Sequence, residues 1–281
     1  MSRIAYVNGA YVPLRSARVS IMDRGFQFAD SIYEVWAIRG GRMFDNDAHM
    51  TRLQRSLAEL RITPPMTEAS LMAVMRETMR RNRVTDGIVY VQVSRGAANR
   101  DHVFPAPDTK PTIIVTAKNL DRAAIAKRAA TGIKITSAPE TRWHRRDIKS
   151  VNLLPNVLAR QGAKEKGAFE AWFVDEHGLV TEGTSSNAWI VDANGVLRTR
   201  ALSFDILHGV TRAAVLKLAQ ERQMKVEERP FTIEEAKAAR EAFITAASNA
   251  ATAVIEIDSV RIGDGKPGTV TEALRAAYLG A

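Results

Sequence analysis

Apolar positions along the chain alternate between two periods. Over residues 47–60 they fall at Met50, Leu53, Leu57 and Leu60, which is the spacing of one helix face, and Asp45 or Asn46 stands where a side chain can cap free amides. A second helix is predicted over 67–82 through Leu71, Val74, Met75 and Met79. Asn8-Gly9 predicts a hairpin between residues 4–7 and 11–13, because this pair accepts the positive backbone angles of a tight turn. The aromatic and small residues of 23–36 run into a strand-like segment that reaches Ile38 and turns at Gly40-Gly41. Two more strands are expected at 88–94 and 111–116. Residues 118–130 are polar and alanine-rich, and they supply the best domain boundary in the chain.

Beyond that boundary, 133–136 is strand-like and a helix is predicted over 152–166, with Pro155 in its first turn, where a missing amide donor costs nothing. Strands at 171–174 and 188–191 flank a small-residue turn that carries Glu182. Residues 207–212 open a long helix through Val215, Leu218 and Ala219, and a short helix covers 233–239. A strand at 242–245 breaks into the small residues 246–251, a hairpin joins 254–257 to 260–262, and a helix over 270–278 follows. There is no internal repeat.

Composition narrows the class. A chain of 281 residues with 46% apolar content can bury one large core or two moderate ones. The absence of cysteine excludes disulfides, thiolate metal sites and a cysteine nucleophile, and no metal site is expected. No apolar run has the length of a membrane span or of a signal-peptide core, so a soluble, cytoplasmic protein without a membrane partner is expected. The net charge of +9 invites a nucleic-acid reading, but the basic residues are spread thinly over 80–83, 127–128 and 142–146, with no helix-turn-helix or zinc pattern. No nucleic-acid partner is therefore expected, although the last of these patches abuts Lys149 and raises the potential there for an anion.

Candidate chemistry gathers at a few positions. Lys149 lies between an apolar residue and the expected helix start, and Glu182 lies in the turn. A neutral lysine amine condenses with an aldehyde cofactor, and an acid that keeps a pyridine nitrogen protonated makes the ring an electron sink. Arg100 offers a planar fork for a carboxylate, with His102 as a second donor on the same loop. Glycine and threonine at the start of the 207–212 helix suit a phosphate, as do the backbone amides of 246–251. Lys149, Glu182 and the threonine of this helix start, each taken alone, fit a solvated or packing role better. Tyr33 fits either a core or a cleft.

Seven segments in order change that balance: Asp23-Arg24-Gly25-Phe26-Gln27-Phe28, Tyr33-Glu34-Val35, His49-Met50-Thr51-Arg52-Leu53, Gln92-Val93-Ser94-Arg95-Gly96, Asp147-Ile148-Lys149-Ser150-Val151-Asn152-Leu153-Leu154, Thr181-Glu182-Gly183-Thr184-Ser185-Ser186-Asn187 and Ile206-Leu207-His208-Gly209-Val210-Thr211-Arg212. Together they resemble the fold-type IV pyridoxal-phosphate enzymes, and within them most of all the D-amino-acid transaminases, over nearly the whole chain. The resemblance implies an α+β protein of two domains: a small N-terminal α/β domain over 1–120 and a larger C-terminal domain over 121–281 with a β-barrel-like sheet, the active site between them. It implies pyridoxal 5'-phosphate as cofactor, with Lys149 condensed to its aldehyde, Glu182 at the ring nitrogen and Leu207 against the ring. Arg52, the amides of Val210 and Thr211, the Thr211 hydroxyl and the segment through Ala246 and Ala247 would hold the phosphate. Ala247 departs from the family pattern because it has no hydroxyl. Tyr33, Tyr90, Arg100 and His102 would bind the substrate, the last two from the second subunit of a homodimer. The implied activity moves the amino group of a D-amino acid to a 2-oxo acid. An L-branched-chain transaminase or an aminodeoxychorismate lyase is the alternative on the same scaffold, and a basic nucleic-acid-binding protein a remote one.

Overall fold

The computed structural model describes residues 3–280, and the chain divides into two compact units. One takes the chain as far as Asp121 together with Ile148–Asn152, and the other takes Arg122–Asp147 and the chain from Leu153 onward.

The first unit is built on β1 (Ile4–Val7), β2 (Ala10–Pro13), α1 (Arg24–Phe28), β3 (Ser31–Arg39), β4 (Arg42–Met43), α2 (Asn46–Glu59), α3 (Glu68–Asn82), β5 (Gly87–Ser94) and β6 (Thr112–Asn119). Its six strands form one sheet in the order β2-β1-β6-β5-β3-β4, and every pair is antiparallel. The Asn8-Gly9 turn closes the first hairpin, with Asn8 and Gly9 both at positive φ. Strand pleating sends alternate residues of β3 to opposite faces. Ile32, Glu34, Trp36 and Ile38 share one face and are at most 2% exposed, whereas Tyr33 and Val35 on the other are half-buried. α2 packs on β3 with His49, Met50, Arg52, Leu53, Ser56 and Leu57 buried. The capping expected of Asp45 does not occur: the residue sits in the left-handed region at φ 49°, and its side chain makes no capping bond. Thr67 does cap α3, accepting from the Ser70 amide at 3.2 Å.

The second unit contains α4 (Arg122–Thr131), β7 (Ile133–Pro139), α5 (Leu154–Glu165), β8 (Glu170–Val174), β9 (Val180–Gly183), β10 (Asn187–Val191), β11 (Leu197–Thr199), α6 (Val210–Glu221), β12 (Val226–Glu228), α7 (Ile233–Lys237), β13 (Glu241–Ala246), β14 (Ala250–Ile257), β15 (Val260–Arg261) and α8 (Thr269–Leu279). Its nine strands follow the order β12-β11-β10-β13-β14-β7-β8-β9, with β15 on β14. One cluster of buried side chains includes Trp172, Ile190, Phe231 and Ile244. A second includes Trp189, Phe243, Val215, Ala219 and Leu274, where the Trp189 and Phe243 rings stack at 5.5 Å. α6 and α8 supply the helical part of that second cluster.

The α+β class anticipated from the sequence holds, with three local differences. The stretch read as a polar connection is in part the end of β6 and in part α4, whose alanines favour a helix although none of its residues is buried. Glu182 lies within β9, whose four residues are all buried, and the turn follows it at 184–186. Lys149 stands in an irregular segment well ahead of α5, which opens at Leu154. Among the described residues no helix is long and apolar enough to cross a membrane.

Candidate active site

In the first unit, Lys149 is fixed by backbone pairing alongside β3. Its carbonyl accepts from the Tyr33 amide at 2.9 Å, and Val151 donates to the Ser31 carbonyl at 3.0 Å. Ser150 forms an isolated bridge with Ile32, and the Lys149 amide donates to Ser56 Oγ at 3.3 Å. Its Nζ then lies 4.2 Å from the centre of the Tyr33 ring. Next to Tyr33 on β3, Glu34 is fully buried and takes Arg52 Nε at 2.9 Å and Nη2 at 2.7 Å. His49 Nδ1 lies 2.9 Å from the same carboxylate. Burial opposes the Glu34 charge, yet Arg52, the His49 hydrogen bond and the Lys149 charge hold its carboxyl far below the usual carboxylate range. His49 and Arg52, three apart on one helix face, share a carboxylate of the chain itself.

In the second unit, Glu182 is 4% exposed. Arg142 Nη1 donates to its Oε1 at 2.6 Å, and Asn187 Nδ2 and the Leu207 amide both donate to its Oε2 at 3.0 Å. Burial pushes the Glu182 carboxyl up from its ordinary value, against the Arg142 charge and the Leu207 amide. Arg142 is held in turn by Glu140, through Nε at 2.9 Å and Nη2 at 2.6 Å. Burial works against the Arg142 cation, but the two carboxylates outweigh it and raise its pKa. The turn after β9 is moulded on Glu170, which accepts from Thr184 Oγ1 at 3.0 Å, the Ser185 amide at 2.7 Å and Ser186 Oγ at 2.5 Å.

Asn187 also donates to the Leu207 carbonyl at 3.0 Å, so one amide ties Glu182 to the segment entering α6. Gly209 makes this possible, since a Cβ there would overlap Asn187 Oδ1. Gly209→Ala should therefore displace Asn187 and cost about 1 to 3 kcal/mol of stability; an unchanged melting temperature would show that the contact is dispensable. α6 begins at Val210 with no side-chain cap on Gly209, and its first amides belong to Val210 and Thr211. The Thr211 hydroxyl lies 3.4 Å from Tyr278 Oη. Ala246 ends β13, and Ala247 begins a three-residue turn into β14. Arg275 Nη1 braces that turn by donating to the Asn249 carbonyl at 2.6 Å and the Ala251 carbonyl at 2.7 Å.

Tyr33 and Tyr90 stack at 5.7 Å on one face of the first unit's sheet. Tyr90 donates to Gln92 Oε1 at 2.7 Å, and burial, with a smaller contribution from Tyr33, pushes its pKa up to about 12. Arg100 and His102 are exposed on the loop after β5, both against the Phe28 ring.

Sequence reasoning gave no role to Glu34, Glu140, Glu170 or Asn187, and took Arg142 only as part of the basic patch 142–146. A signal existed for two of them, because Glu34 and Glu170 are single acids beside or within apolar strands, and a buried acid requires partners.

A donor set of this kind suits a phosphorylated pyridine aldehyde. Glu182 keeps an acceptor position on Oε1 besides Arg142, and a ring N–H there would bring positive charge to a carboxylate that burial drives toward neutrality. Comparison with known proteins agrees with this chemistry. The family model described as Amino-transferase class IV matches residues 31–257. A D-alanine aminotransferase of Bacillus licheniformis is 40% identical over 270 residues, covering 96% of this chain and 94% of that protein. One from Staphylococcus haemolyticus is 36% identical over 274 residues, covering 97% and 95%. Among solved structures, the T.th. branched-chain amino acid aminotransferase with pyridoxamine 5'-phosphate superposes with a TM-score of 0.89 at 25% identity, covering 99% of this chain and 93% of its own. The Escherichia coli branched-chain enzyme shares the fold with the same TM-score at 24% identity, covering 100% and 94%. Taken with the buried acid and its cationic partner, a match of this extent means that the chain belongs to the class IV aminotransferases.

Proposed function

We propose that this protein is a pyridoxal-phosphate-dependent transaminase that moves the amino group of a D-amino acid of the D-alanine type to a 2-oxo acid such as 2-oxoglutarate, working as a homodimer in the cytoplasm. The observation that carries the reading is identity of 36% and 40%, along nearly the whole chain, to proteins named D-alanine aminotransferase. Arg100 and His102, both set against the Phe28 ring, support it as a pair able to take a carboxylate.

Pyridoxal phosphate, when bound, supplies an aldehyde for the substrate amine and a ring that accepts the electron pair left at the substrate Cα. Lys149 would hold the aldehyde at rest and, once the substrate amine displaces it, would take the Cα proton on Nζ and return it at the carbon that carried the aldehyde. Glu182, braced by Arg142 and Asn187, would keep the ring nitrogen protonated. Leu207 would pack on the ring. The amides of Val210, Thr211, Ala246 and Ala247, the Thr211 hydroxyl and Arg52 would hold the phosphate. Tyr33 and Tyr90 line the substrate side, where the high pKa of Tyr90 keeps its hydroxyl a donor.

Large exposed apolar side chains support a second copy as partner: Ile21, Phe26 and Val103 in the first unit, and Leu154, Val157 and Leu158 in the second, are 59% to 77% exposed in the single chain. The Arg100 loop is proposed to serve the neighbouring subunit.

The assay that separates D-alanine from L-leucine as donor to 2-oxoglutarate tests the reading. Turnover with D-alanine supports it. Turnover with L-leucine alone would favour the branched-chain activity named for the structural neighbours. Arg100→Ala should raise KM for D-alanine by about 30-fold or more, from the roughly 2 kcal/mol at the low end for losing a buried carboxylate partner. An unchanged KM would place the carboxylate elsewhere.

A further inference from the structure

Helix α1 has no part in the chemistry described so far, yet it is stapled to the loop that carries Arg100 and His102. Asp23 caps the helix through the Gly25 amide at 2.8 Å and takes Ser94 Oγ on its other oxygen at 2.8 Å. The Arg24 amide donates to the Gly96 carbonyl at 2.9 Å. The Arg24 side chain is buried, and its Nη1 donates to the carbonyls of Asp101 at 2.6 Å and Val103 at 3.3 Å, the two residues flanking His102. Its Nε pairs with Asp30 at 2.8 Å, and Asp30 also takes Arg95 through Nε at 2.8 Å and Nη2 at 2.9 Å. Burial works against the Asp30 charge, but the two arginines prevail and hold its carboxyl below the ordinary value.

Phe28 ends this helix, and three cationic or polar groups share its ring. The Arg24 guanidinium carbon is 4.9 Å from the ring centre and that of Arg100 is 5.1 Å. The His102 ring lies 5.4 Å away, tilted by 50°. A free arginine on an exposed loop samples many rotamers, and that freedom is lost when it grips a carboxylate. A ring face attracts the guanidinium electrostatically and narrows those rotamers beforehand.

We propose that Phe28 is a positioning residue, whose ring pre-orients Arg100 and His102 as a carboxylate-binding pair. This rests on the reading that Arg100 takes the substrate carboxylate. Leucine at position 28 fills a similar apolar volume but has no quadrupole, so it separates packing from cation attraction.

The experiment measures steady-state kinetics of the holoenzyme with D-alanine, and the half-reaction with D-alaninol, which has the same amine and configuration but no carboxylate. Phe28→Leu should raise KM for D-alanine about tenfold, from the combined loss of two ring contacts, with kcat changed by less than about twofold. D-alaninol should be processed within about twofold of the original rate. Phe28→Tyr, which keeps the ring, should behave like the parent with both substrates. Equal losses on D-alanine and D-alaninol would show that the ring merely holds the fold, and the proposal would be overturned. An unchanged D-alanine KM in Phe28→Leu, with a raised KM in Arg100→Ala, would overturn it while leaving the carboxylate reading intact. An unchanged KM in Arg100→Ala would remove both.

Discussion

Lys149→Ala should abolish transamination, lowering turnover by at least about 10⁴-fold, the upper range for loss of a positioned general base alone. The loss follows from where the amine is held. Backbone pairing with Ser31 and Tyr33 fixes the segment, and Nζ projects over the Tyr33 ring, so the variant loses an amine held at a defined place. The fold should survive, because Lys149 makes its backbone contacts through atoms that alanine also has. Methylamine added to the variant should restore a measurable part of the proton transfer, and its rate should rise with the concentration of the neutral amine. A variant that turned over D-alanine at the parent rate without added amine would remove Lys149 from the chemistry.

Glu182→Gln should lower kcat by about 10² to 10³-fold, the range typical for removing one electrostatic stabiliser of developing charge. The substitution conserves shape but not charge. Its amide nitrogen would also face donors on either side, since Arg142 occupies one oxygen and the Asn187 side chain and Leu207 amide occupy the other. Arg142 would keep Glu140 as partner, which limits the cost of leaving its cation buried. The variant should therefore fold and still capture the cofactor aldehyde at Lys149, with turnover alone impaired. Turnover within about threefold of the parent would show that the ring nitrogen does not depend on this acid.

Much of the fold was legible because local rules settled it. Asn8-Gly9 forced the first hairpin, the period of Met50, Leu53 and Leu57 matched α2, and Pro155 lies in the first turn of α5 as expected. Where prediction failed, a longer-range partner decided. The glycine, threonine and serines that follow Glu182 point to a turn. In the structure Glu182 is a strand residue, because Arg142, 40 positions earlier, neutralises it inside the sheet. Residues 118–130 carry no apolar stripe that would mark a helix, yet α4 forms on propensity. The family reading came from seven ordered segments and not from any single residue. The acids that brace those segments, Glu34 for Arg52, Glu140 for Arg142 and Glu170 for the 184–186 turn, take their meaning from burial and partners, and only Glu34 and Glu170 carry a sign of it in the sequence. Asp23 and Arg24 were read as part of a signature, while their work of tying α1 to the Arg100 loop appears only in three dimensions.

Borohydride reduction of the cofactor-loaded protein, followed by peptide mass mapping, tests the central claim most directly. Capture of the aldehyde by Lys149 predicts a reduced pyridoxyl adduct on the peptide containing Lys149, and its loss when D-alanine is added before the borohydride. An adduct on another lysine, or a Lys149 peptide of unmodified mass from fully loaded protein, would contradict it.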